Sequence, residues 1–169
     1  MTAEIERLAD QLRRSLEGGA WHGPSVLELL ADVSAPRAAL RPIAGVHTIW
    51  EIVLHLTSDY DLVLRRLAGD GRSTSPEEDW PPCPEPTEEN WRQAVRRLES
   101  RGGELRRAVQ SFPPERLGDP LVPEIAYPAY TQFIGVTQHH SYHAGQIALL
   151  KRISEPPTSR SRTSASSGC

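Results

Sequence analysis

The chain has 169 residues, a net charge of −3 and a hydrophobic fraction of 38%, enough for one domain with a real core. Charges of mixed sign with no basic stripe exclude a polyanion-binding protein, and no apolar run reaches the roughly 18 residues of a membrane span. The opening stretch MTAEIERLADQLRR is amphipathic and carries acids, without the apolar block of a signal peptide.

Residues 2–17 place Ile5, Leu8, Leu12 and Leu16 on one face of a predicted helix, and Gly18-Gly19 ends it. Ser25 and Glu28 have the spacing of a capping box and open a short helix through Val33. Pro36, Pro42 and Gly45 mark 34–45 as a connector. A second long helix is expected from about Val46 to Ala68, with Ile49, Ile52, Val53, Leu56, Tyr60, Val63 and Leu67 as its apolar stripe. His55 falls about 120° from the centre of that stripe, beside Ile52, Asp59 and Leu62, at a step of about 100° per residue. That position suits a ligand at the inner rim of a bundle, and equally a half-exposed histidine with no role.

Residues 70–86 hold five prolines and Cys83 and read as a long loop. Thr87 then caps a third long helix whose first turn carries Glu88 and Glu89, which suit the positive end of the helix dipole. Trp91, Val95, Leu98, Gly102, Leu105, Val109 and Phe112 alternate by four and three along it, as in a bundle. Pro113-Pro114 stops the pattern, and 113–130 is irregular again. The paired arginines along these helices (13-14, 65-66, 96-97, 106-107) sit beside acids and read as solvated faces. From Ser154 the chain is Ser/Thr-rich with no apolar anchor, so 154–169 is expected to be a disordered tail behind a domain spanning 1–153. Cys83 in a loop and Cys169 in that tail make no disulfide framework, so a cytoplasmic location is the default. The sum is an all-α four-helix bundle with long interhelical loops.

The last helix, VTQHHSYHAGQIALLKR from Val136 to Arg152, carries three of the six histidines within five residues. Val136, His139, His140, His143, Ile147 and Leu150 fall on one side of it, the side that should face the core. Either His139 or His140 can pair with His143, at four or three residues, to reach one ion. The rival is a set of core histidines bonded to Gln146 or Thr137. Three imidazoles on a buried face favour a metal, because each left without a partner costs roughly 1–3 kcal/mol. Imidazole suits zinc, nickel or iron, and three protein ligands leave a position open.

HHSYHAGQIALLKR resembles the C-terminal signature of the DinB/YfiT-like superfamily, in His139, Tyr142, His143, Gly145, Gln146 and Ile147. The segment Trp50-Glu51-Ile52-Val53-Leu54-His55-Leu56 resembles its other landmark, a histidine in the second long helix. The similarity covers about residues 1–153. It implies a divalent-metal triad of His55, His139 and His143, and it puts His140 where many relatives have aspartate. Asp59, one turn after His55, is the expected compensating acceptor; Gly145 is expected to permit close helix packing. His22 and His47 are given no function.

The resemblance also implies activities. Relatives include thiol S-transferases that use a low-molecular-weight thiol, thiol-dependent isomerases and metal-dependent hydrolases. Three neutral histidines leave an ion most of its charge, which lowers the pKa of a water or thiol beside it. The expectation is therefore a metal-dependent transferase or hydrolase acting on a small-molecule substrate, without nucleic acid or membrane, as a homodimer. The alternative is a non-catalytic bundle, stress-associated or binding a small ligand, with a structural metal or none.

Overall fold

The structure is a computed structural model that describes residues 3–154; the expected tail beyond Ser154, with Cys169, lies outside the described residues. Four long helices, α1 (Ala3–Glu17), α4 (Ile49–Leu67), α6 (Glu88–Gln110) and α7 (Ala129–Ile153), form the bundle. Three short ones, α2 (Val26–Leu30), α3 (Ala35–Ala39) and α5 (Pro76–Asp79), lie in the connections, with a 3-10 turn at Pro114–Arg116. Among the described residues no strand forms beyond one isolated bridge between Pro120 and Pro128. The all-α bundle expected from the apolar periodicity is the fold observed.

The stripe residues bury as their spacing requires. Ile5, Leu8, Leu12 and Leu16 of α1 meet α6 and α7, while Ile52, Val53, Leu56 and Tyr60 turn α4 inward. Trp50, absent from the expected stripe, is fully buried against Trp91, with ring centroids 5.2 Å apart. Gly102 is the point of closest approach. A Cβ there would lie 2.3 Å from Leu16 Cδ2 and 3.0 Å from the Tyr60 hydroxyl, so α1, α4 and α6 can meet only over a glycine.

Several boundaries differ from the expectation. The second long helix starts at Ile49 rather than Val46, because Thr48 and Glu51 close a capping box. The short helix capped by Ser25 ends at Leu30 rather than Val33, and Pro36 lies in the first turn of α3 inside the expected connector, where its missing N–H costs nothing. The loop 70–86 likewise contains α5, with Pro76 in its first turn and a capping box between Ser75 and Glu78. The last helix already begins at Ala129, so Ala129 and Tyr130 leave the segment read as irregular. No helix among the described residues is long and apolar enough to cross a membrane.

Candidate metal centre

α4 and α7 run side by side and bring His55 against His139 and His143. Ring nitrogens of these three lie within 4.8 Å of one another. Nε2 of His139 is 3.3 Å from Nε2 of His55 and 2.8 Å from Nε2 of His143. The three rings meet edge to face, at interplanar angles of 74–87°. His55 and His143 are buried, and the His139 side chain is 33% exposed, so solvent reaches the cluster from its side.

The outer nitrogens decide the tautomers. His55 Nδ1 donates to the backbone carbonyl of Asp79 at 2.9 Å, with that residue's carboxylate at 3.3 Å. His143 Nδ1 donates to Gln146 Oε1 at 2.7 Å. His139 Nδ1 contacts the Asp59 carboxylate. Every Nδ1 thus faces an acceptor, so it carries the ring proton, and three Nε2 lone pairs are left aimed at one another. Lone pairs in that arrangement repel unless something positive lies between them. Holding each ligand's second nitrogen on an acceptor is also how proteins orient metal-ligating histidines. The donor set therefore fits a divalent cation, and the carboxylates of Asp59 and Asp79 add negative charge beside it. One proton shared by His139 and His143 would also account for their 2.8 Å contact, but it leaves Nε2 of His55 without one.

His140, adjacent in sequence, does something else. Its ring is fully buried, tilted against Tyr60, with Nδ1 3.3 Å from the Tyr60 hydroxyl and Nε2 without a partner among the described residues. Desolvation pushes its pKa down to about 3, so it is neutral core packing and not a neighbour that orients a ligand. His143 is pushed down to about 4, first by desolvation and then by His139. The expected acceptor Asp59 does meet His139. Gly145 is a correction: it is exposed, and a Cβ there would meet nothing within 4 Å, so it serves no helix contact among the described residues. Tyr142 is exposed, edge-on to His143 at the mouth of the cluster.

What the sequence did not reveal is the contribution of the loop. Beyond the Asp79 carbonyl, Trp80 stacks flat on His55 at 4.0 Å and on His47 at 3.6 Å, with its edge toward His143. Only the capping-box spacing of Ser75 and Glu78 hinted that this segment is ordered. His22 bonds Ser141 at 2.9 Å, away from the triad.

The family model for the DinB superfamily matches residues 20–147, which contain all three histidines. The chain belongs to the DinB superfamily. No curated protein and no solved structure matches it. For a DinB bundle, this cluster is compatible with a divalent metal.

Proposed function

We propose that His55, His139 and His143 of this DinB protein hold one divalent cation, zinc, nickel or iron, and that the protein is a metal-dependent transferase or hydrolase acting on a small molecule. The observation that carries the reading is the convergence of three Nε2 atoms whose Nδ1 partners are all acceptors. When bound, such an ion lowers the pKa of a thiol or water beside it and so supplies a nucleophile at neutral pH. The chain's own residues do the rest. Asp59, Gln146 and the Asp79 carbonyl keep the imidazoles in the Nδ1–H form and fix their rings. Trp80 covers His55 and keeps water off that flank, leaving the approach beside His139 and Tyr142.

Among the described residues no thiol is suited to be the nucleophile, which favours a small thiol cosubstrate. Cys83 is exposed in the loop, and local desolvation with the Glu51 carboxylate nearby pushes its thiol up to about 11, away from the thiolate. A low-molecular-weight thiol attacking an electrophile is therefore the first reaction to assay, and ester or amide hydrolysis the second.

The decisive experiment is elemental analysis of tag-free protein, wild type beside His55→Ala and His139→Ala. About one divalent ion per wild-type chain, lost in both variants, supports the triad. Absence of metal after incubation with zinc or nickel sinks it and leaves the shared proton between His139 and His143. Turnover of thiol plus electrophile by metal-loaded protein, compared with His143→Ala, then tests catalysis. Equal rates would reduce the ion to a structural role.

A further inference from the structure

The outer side of the same loop frames a cavity, bounded also by α4 and α6, with a volume of about 690 Å³. That is within the roughly 300–1,000 Å³ of small-molecule pockets. None of the three histidines lines it. On α4, Leu54, Asp61 and Arg65, with Ala68 at its C-cap, line it, round the helix from His55 and Asp59. The loop is a party wall: the Glu78 carbonyl accepts from Ser58 and the neighbouring Asp79 carbonyl from His55.

The cavity's chemistry is two-sided. Leu54, Leu64, Ala68 and Pro81 give it an apolar surface. Four guanidiniums also line it, and their partners are unevenly shared. Arg72 is bidentate on Glu78, at 2.7 and 2.8 Å. Arg97 and Arg101 both lean on the single carboxylate of Asp61, at 3.0 and 2.7 Å, with Arg101 also on Glu104. Arg65 is in no ion pair among the described residues: Nη2 donates to Thr74 Oγ1 at 3.2 Å, Nη1 is buried without an acceptor, and Glu78, whose carboxylate feels its charge, is already bidentate on Arg72. The remaining lining carboxylate, Glu77, is on an exposed residue. A guanidinium nitrogen with nothing to donate to costs free energy; Nη1 is closed off from solvent as it stands, so a turn of the Arg65 guanidinium toward the cavity is what brings it to an oxyanion in the geometry that arginine matches best.

We propose that this cavity binds a small organic anion, its apolar body against Leu54, Leu64, Ala68 and Pro81 and its carboxylate or phosphate on Arg65. The site stands independently of what the histidines hold. Calorimetric titration of the full-length protein with hexanoate, phenyl phosphate and 1-hexanol tests it. At least one of the two anions should bind saturably at one per chain, and hexanol at least about tenfold more weakly. Hexanoate alone would mean a carboxylate site, phenyl phosphate alone a phosphate site, and both a general oxyanion site.

Arg65→Gln should weaken the anion about tenfold, whereas His139→Leu should leave it unchanged within about twofold. Arg97→Gln, at an exposed position, should also weaken it, and it replaces Arg65→Gln if that variant fails to fold. Four results would overturn the proposal. They are no saturable binding of either anion by wild type up to roughly 10 mM, equal binding by folded Arg65→Gln or its replacement, equal binding of hexanol, and loss of binding in His139→Leu. The last would move the anion to the histidine cluster.

Discussion

His139 and His140 are neighbours in the chain and answer to different surroundings, one at a solvent-reached cluster and the other sealed against Tyr60. Substituting each by leucine should therefore split their roles. His139→Leu is expected to abolish metal uptake, while His140→Leu keeps affinity within about twofold and loses stability by roughly 1–3 kcal/mol through the orphaned Tyr60 hydroxyl. A competitive chelator titration beside a urea melt reads both, and equal loss of metal in the two variants would refute the assignment. Asp59→Asn should weaken metal binding by about 10–100-fold, the usual cost of losing a ligand's orienting acceptor. Unchanged affinity would mean that Asp59 orients nothing. The same imidazoles set a pH dependence in metal-free protein. His140 and His143 titrate near 3 and 4 when folded, below the ordinary 6.5. The unfolded chain thus binds more protons between about 4 and 6.5, so stability is fully present above that window and falls as the pH drops through it. Melting midpoints from pH 7 to 4.5 in chelator should decline, and less steeply for His140→Leu; a flat profile would contradict the burial argument.

Two helix glycines make opposite predictions. Gly102→Ala gains roughly 1 kcal/mol of helix propensity but forces a methyl into Leu16 and Tyr60, an overpacking cost of about 1–3 kcal/mol. A lower melting midpoint is expected, and a raised one would mean that the α1–α4–α6 contact is looser than described. Gly145→Ala meets open space and should stabilise by up to about 1 kcal/mol. A lower midpoint there would point to something that approaches this glycine from outside the described residues. The long helices were legible because their inner stripes repeat at the helical period and Thr87 announces the start of α6, as Ser25 does for the short α2. α7 was harder to bound, since Tyr130, Tyr142, Leu149 and Ile153 are exposed opposite its buried face and blur the stripe. For His55 the spacing left two readings open, and only the packing of α4 on α7 puts it beside His139. Nothing local marks the Asp79 carbonyl as an acceptor or Trp80 as a stacking partner. Both depend on where a proline-rich loop lands, which composition does not encode.

At the scale of the whole molecule, the triad joins α4 to α7, and His55 and His139 stand 84 positions apart. An ion held by both stabilises the folded chain by mass action, about 4 kcal/mol at a thousandfold excess over its dissociation constant. In a domain of this size that raises the melting midpoint by roughly 8–16 °C. Scanning calorimetry with and without zinc checks it: no shift in wild type, or the same shift in His139→Leu, would defeat the reading. The loop between α4 and α6 bears differently on the protein's history. The histidines stand on two rigid helices, whereas Asp79, Trp80, Glu78 and Pro81 crowd into one surface connection and serve both the histidine cluster and the cavity beside it. Insertions and exchanges are tolerated best in such connections. A lineage built this way can alter what it admits, on either side of α4, by rewriting a handful of adjacent codons while every histidine stays in place.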